Sequence, residues 1–218
     1  MNWGKYIGNS ILVVLLVACS YYFLDKGIAL YVKRVLISNA RFRFFSTNIP
    51  DLLFPAVCAI TGIAWAAYFY HVHKGIYNKH AQFFLLIAIA VPLSFFLKSI
   101  LKLGVGRIDA RFWLLHPNVK EFHWFHGVWH YTGFPSGHMT VFSVLVIALS
   151  RFYPRYRPAY FGFLSALALA LIATDYHFLS DIIAGAYLGL LVHDFTLQGL
   201  TLLPNFTEGN EIRKEKTI

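Results

Sequence analysis

Three short segments place ionisable side chains at the ends of apolar runs: "KSILKLGVGR" (98–107), "FPSGHMT" (134–140) and "DYHFLSDIIAG" (175–185). Charges in such places are costly unless they are paired or functional, so a site is the default reading. In the second segment Ser136 is a good helix N-cap and Gly137 lets the backbone approach a ligand closely. The helix that follows would offer unpaired N–H groups and the positive end of its dipole, a ready anion site. His138, just inside it, can hold or deliver a proton near neutral pH. In the third segment His177 and Asp181 are four apart, which puts them on one face of a helical turn. A carboxylate on one ring nitrogen fixes the tautomer and leaves the other nitrogen as nucleophile. Lys102 and Arg107 add fixed positive charge for the non-bridging oxygens of a phosphoryl group. The three segments together read as a phosphate site.

The elements that must carry these residues are membrane spans. The chain is 58% hydrophobic and 13% charged, against about 25% charged in soluble domains. Tyr6–Leu24, Leu52–Tyr70, Ala81–Leu97, Phe122–Ser150 and Pro158–Thr174 are free of Lys, Arg, Asp and Glu, and Ile182–Phe206 is broken only by Asp194. A spanning helix needs about 20 mostly apolar residues. The expected fold is therefore all-α, an integral membrane bundle of six transmembrane helices near 5–25, 52–72, 81–103, 136–152, 157–175 and 178–203. Residues 1–203 form one domain and 204–218 a polar tail. Residues 26–50 carry Lys26, Lys33, Arg34, Arg41 and Arg43; they suit an amphipathic interfacial segment or, equally, a basic connecting loop. Cys19 and Cys58 fall inside spans and read as small apolar residues. The net charge of +9 sits at helix ends and in loops. It points to a membrane surface or an anionic substrate, with no soluble basic surface for nucleic acid.

Parity makes the three segments neighbours. Lys102 ends the third span, His138 begins the fourth, and two more crossings return the chain to the same side at His177. Both termini share the opposite compartment. The short loops 71–80 and 151–157 lean towards the cytoplasm, which leaves the site facing outward.

The segment 104–135 is expected to cover the site. It holds His116, His123, His126 and His130 among many aromatic residues. Aromatic interfacial packing is the favoured reading. His123, His126 and His130 also have helical metal-ligand spacing, but only Glu121 joins them as a carboxylate. No metal and no cofactor are expected. Asp194 is expected to pair with a neighbouring loop arginine.

These residues resemble the superfamily of type-2 phosphatidic acid phosphatases and vanadium haloperoxidases, in its six-span lipid phosphatase branch. The signatures of that superfamily are Lys-x6-Arg-Pro, Pro-Ser-Gly-His and Ser-Arg-x5-His-x3-Asp. The second is complete at Pro135-Ser136-Gly137-His138, and the His-x3-Asp of the third at His177 and Asp181. The resemblance implies that His138 is the general acid, that His177 attacks phosphorus, and that Asp181 orients it. Lys102, Arg107, Ser136 and Gly137 would bind the phosphate. Counting from Lys102, the expected Arg-Pro falls on Asp109-Ala110, and the arginine of the third signature falls on Leu171. Arg107 or Arg111 could supply the first missing charge, with Arg107 favoured. The second must come from elsewhere, a loop histidine being one source, or be absent.

The resemblance implies a multi-pass cell-membrane hydrolase, in a bacterial inner membrane with its site facing the periplasm, that interacts with membrane lipids. It would cleave a lipid phosphate monoester or diphosphate through a phosphohistidine. Undecaprenyl diphosphate, phosphatidylglycerol phosphate, phosphatidate and lipid A phosphates are the candidate substrates. The alternatives are a lipid phosphotransferase using the same site, or an inactive lipid-phosphate binding or transport protein.

Overall fold

Backbone N–H and C=O groups have no water to pair with in a hydrocarbon core, so an apolar chain satisfies them within helices. The computed structural model describes residues 3–37, 52–125, 130–203 and 206, and among them there are helices and turns but no strand. The all-α expectation holds. The helices are α1 (Trp3–Cys19), α2 (Asp25–Val32), α3 (Leu53–His73), α4 (Lys79–Val105), α5 (Ala110–Leu115), α6 (Gly137–Phe152), α7 (Arg157–Ala173) and α8 (Leu179–Leu200).

A wide π-helical turn, Ser20–Leu24, joins α1 to α2, and another, Lys33–Ile37, follows α2. Residues 26–37 thus continue the first helix, while the rest of 26–50 lies outside the described residues, as does the tail 204–218 apart from Phe206. Among the described residues four helical stretches are long and apolar enough to cross a membrane: residues 3–35, 53–73, 79–105 and 154–173. α6 is apolar but has only 16 residues, and α8 has 22.

The core lies where α4, α6 and α8 meet, around Leu86, Val91, Val141, Val144 and Val192. α6 and α8 start at the same end and run side by side. Gly185 and Gly189, four apart on α8, let the two backbones approach: a Cβ at Gly189 would lie 2.7 Å from that of Ser143 and closer still to the Thr140 carbonyl. Small residues at such spacing are the usual means of close helix contact where lipid removes the hydrophobic drive. α7, the connection between them, buries only Leu171.

The ends of the helices are set by local chemistry. Asn78 caps α4, its side chain accepting from the N–H groups of His80 and Ala81. Gly106 stops α4 in the left-handed region at φ 54°, with its N–H on the Lys102 carbonyl. A side chain there would also collide with the His123 carbonyl, so this stop, which directs Arg107 back into the bundle, requires glycine. At the far end Asp194 forms no ion pair with an arginine among the described residues. It accepts from Tyr6 at 3.1 Å and faces His193 at 2.9 Å, because α1 packs against α8 and brings the phenol to it.

The α6–α8 contact generates a stability prediction. Gly189→Ala should destabilise the protein by about 1–3 kcal/mol, the usual cost of forcing methyl groups into a packed contact. Thermal unfolding in detergent would detect it, and an unchanged midpoint would mean that the two backbones have room to part.

Candidate active site

A cavity of about 600 Å³ opens at the end of the bundle where α4 finishes and α6 and α8 begin. Lys98 and Lys102 enter it from α4, Arg111 from α5, Gly137 and His138 from the start of α6, and Tyr176 and His177 from the turn before α8. The three places that parity assigns to one side therefore line one space. Lys98 and Lys102 are one helical turn apart and share a face. The Lys98 ammonium sits 3.9 Å above the Phe95 ring, and that of Lys102 donates to the Thr132 carbonyl at 2.5 Å. Neither forms an ion pair with a carboxylate among the described residues. Two neighbouring ammonium groups in one cavity favour an anion.

Ser136 is fully buried and caps α6, its hydroxyl lying 3.5 Å from the Met139 N–H. Its own N–H donates to the Asp181 carbonyl at 3.0 Å, so the start of α6 is tied to the first turn of α8. The hydroxyl itself serves the helix, while Gly137 and His138 line the cavity. At Gly137 a Cβ would lie 3.4 Å from the Lys98 side chain. First-turn N–H groups have no intrahelical acceptor, so this end of α6 is suited to receive an anion.

His177 is 6% exposed, and its Nδ1 lies 3.7 Å from Asp181 Oδ2. That is ion-pair range but too long for a hydrogen bond. Burial pushes the imidazole below its ordinary range. Asp181 and the Gly133 carbonyl pull the other way, while Lys102 adds to the depression. With Nδ1 turned towards the carboxylate, Nε2 is the nitrogen left for chemistry. His138 meets the Tyr176 ring edge-on at 6.3 Å.

Arg107 lies elsewhere. Its guanidinium is 3% exposed and pairs with Asp181 Oδ1 at 2.5 Å and with Asp25 Oδ2 at 2.7 Å; it also donates to Ser180 Oγ at 2.6 Å. Burial opposes its charge, but the two carboxylates more than compensate and raise its pKa. The ring of Phe178 covers it at 4.5 Å. The sequence reading aimed Arg107 at phosphate. The structure engages it with two carboxylates behind the His177–Asp181 pair and brings Arg111 to the cavity instead. Arg111 stacks on Tyr176 at 4.3 Å and donates to the Thr174 carbonyl at 3.1 Å.

Sequence reasoning missed Asp25, although one signal was present: a lone acid inside a long apolar first helix. It also left Lys98 and Asp175 without roles. Asp175 sits at φ 51° beside the site, 2% exposed, with one carboxylate oxygen that has no hydrogen-bond partner among the described residues. Burial pushes it up to about 7, against the pull of Arg111 and Lys33. Of the loop histidines, His130 stacks on Phe112 at 4.0 Å and faces Asp109 at 3.3 Å. His123 packs on Tyr131, and His126 lies outside the described residues. Among the described residues no three His, Cys, Asp or Glu side chains cluster as metal ligands would.

An apolar helical bundle that gathers three histidines, His130, His138 and His177, with Lys98, Lys102 and Arg111 in one cavity at its end is a membrane-protein fold with a site suited to an anion. The chain belongs to the PAP2 superfamily, whose family model matches residues 81–201 and so spans every segment that lines this site except α3. Comparisons with curated proteins and with solved structures gave no match. Membership carries phosphatase-type hydrolase chemistry.

The two arginines should separate cleanly. Arg107→Leu leaves two buried carboxylates without their cation and should cost about 3–5 kcal/mol, whereas Arg111→Ala should leave the unfolding midpoint close to wild type. Equal losses in thermal unfolding would refute this division.

Asp175 yields a pH prediction. Its folded pKa of about 7 lies above the ordinary aspartate value of about 3.9, so the folded state binds the proton more tightly. Its contribution to stability is then present at low pH and lost as pH rises through 7. Asparagine tolerates the same left-handed backbone. The thermal stability of Asp175→Asn relative to wild type should therefore grow between pH 5 and 8, and a constant difference would show that the carboxyl does not titrate there.

Proposed function

We propose that this protein is a six-span membrane phosphatase that hydrolyses a phosphate monoester or diphosphate of a lipid through a phosphohistidine on His177. The observation that carries the reading is the mixed lining of the cavity. It combines Lys98, Lys102 and Arg111, with Asp109 beside them, and the apolar Leu53, Phe54, Phe95 and Leu115, of which Phe54 and Leu115 are 61% and 70% exposed. A phosphate head group suits the first and a hydrocarbon chain the second. The six spans are the continuous α1–α2 helix, α3, α4, α6, α7 and α8. α6 starts against Lys98, roughly 10 Å before the end of α4 at the usual helical rise. The head group is then drawn below the rim of the bundle and the tail remains level with lipid. In a bacterial inner membrane such a site faces the periplasm.

The chemistry follows from the side chains. His177 Nε2 attacks phosphorus; the P–N bond forms as the P–O bond to the lipid breaks, and His138 delivers its proton to the departing oxygen. Water then gives a proton to His138 and attacks phosphorus, the P–N bond breaks, and inorganic phosphate leaves. Asp181 stabilises the positive ring during the intermediate. Lys98, Lys102, Arg111 and the α6 N-terminus balance the charge on the non-bridging oxygens, a role in which Arg111 replaces Arg107.

The division between the histidines is testable with two leaving groups. His177→Ala should abolish hydrolysis of both a lipid phosphate and p-nitrophenyl phosphate. His138→Ala should lose the lipid substrate by about 10²–10⁴-fold but retain a clear fraction of aryl phosphate turnover, because p-nitrophenolate departs without a proton. Normal turnover in His177→Ala would end the phosphohistidine reading, and equal losses in His138→Ala would make that residue a phosphate binder.

A further inference from the structure

We propose that Asp25 is a positioning residue of the catalytic centre: from the first helix it holds Arg107 and the first turn of α8, and so aims Asp181 at His177. The inference rests on the reading of His177 as nucleophile and adds to it a residue in a part of the chain, before residue 81, that the family model does not cover.

The first turn of α8 needs outside help. Its N-cap position is Phe178, which has no side-chain oxygen to offer, and Asp181 Oδ2 accepts only the Phe178 N–H, at 3.0 Å. The Ser180 N–H donates at 3.0 Å to Asp25 Oδ1, across 155 residues of sequence. Asp25 therefore does from α2 what a capping residue does from within a helix. Its other oxygen, Oδ2, accepts from the Ser180 hydroxyl and from Arg107. Arg107 reaches the two acids with different nitrogens, NH2 to Asp25 and NH1 to Asp181. Withdrawing Asp25 frees one end of the guanidinium and the second N–H of α8 together, and Asp181 depends on both.

The acid is itself positioned. The π turn Ser20–Leu24 immediately precedes it, and the Asp25 N–H closes that turn on the Ser20 carbonyl. The Ser20 hydroxyl donates to Asp25 Oδ1 at 3.2 Å. Asp25 and Ser180 are 2% and 0% exposed, so solvent does not compete. Such widened turns are frequent at functional sites.

Charge gives the arrangement a second effect. Two carboxylates around one guanidinium leave a net negative charge behind the His177 ring, whose Nδ1 has no hydrogen-bond partner among the described residues. That charge favours the ring when phosphorylation makes it positive. Asp181 and Lys102 also act on this ring, and Lys98, Asp109, Arg111, His130 and His138 share its cavity; a substitution at Asp25 removes none of these groups.

The test uses the full-length protein in lipid nanodiscs. The His177 imidazole is followed by ¹⁵N NMR through a pH titration, with His177→Ala to assign the signal, and kcat and KM are measured beside it. Asp25→Asn keeps an oxygen for the Ser180 N–H but removes the charge. Its His177 midpoint should fall by about one unit, a tenfold loss of protonation. The acid limb of kcat/KM should move down with it, and kcat should drop about tenfold while KM stays within about twofold. A purely structural role would leave the midpoint where it is, and that result would overturn the proposal. If Asp25→Asn does not fold, Asp25→Glu replaces it. With the charge kept but displaced, the midpoint should hold while the fraction of Nδ1–H tautomer falls, and a wild-type fraction would overturn the proposal. Absence of turnover in the wild type on any lipid phosphate would count against the phosphatase reading alone, because the titration decides the role of Asp25 without activity.

Discussion

A single guanidinium ties the structure together. Arg107 lies between Asp25 of the first helix and Asp181 of the last, in a place where an unpaired charge would cost several kcal/mol. Each of the three groups is buried because the other two are there. The remaining geometry of the site follows from satisfying this cluster. α4 must stop at Gly106 so that the next residue can turn inward, α8 must begin where Asp25 can meet its second N–H, and Ser136 must lie where its N–H reaches the Asp181 carbonyl. His177 and His138 come to one cavity because the elements that carry them are joined at this point.

Much of the site was legible in the sequence because its parts are local. A proline, a serine, a glycine and a histidine at a helix start, and a histidine one turn before an aspartate, declare their geometry through helical spacing alone. Parity then brought Lys102, His138 and His177 to one side without knowledge of packing. The destination of Arg107 was not legible. An arginine after a glycine at the end of a span looks the same whether it faces substrate or two carboxylates, and the difference lay 82 residues away at Asp25. Arg111 carried no stronger signal than Arg107 until α5 formed and turned it towards the cavity.

The fold shows the same boundary between local and distant information. Apolar stretches located the helices, and the all-α class follows from them. Residues 26–37 were harder, because their charges suggested an interfacial segment or loop while the helix from Trp3 runs on through them. Lys26 and Lys33 find partners that no local pattern displays: Lys26 pairs with Glu121, and Lys33 donates to the Leu114 carbonyl at 2.8 Å. Composition alone would have sent both to lipid head groups. The Gly185–Gly189 contact is written in the sequence at small-residue spacing, but only the neighbouring helix gives that spacing a meaning.

The cap that Asp25 provides to α8 also bears on how such a chain is assembled. Helices enter a membrane in the order in which they are made, so the acid arrives first and its partners follow: Arg107 midway, Ser180 near the end. The surroundings of His177 are therefore complete only once α8 has brought Ser180 and Asp181 to Asp25 and Arg107.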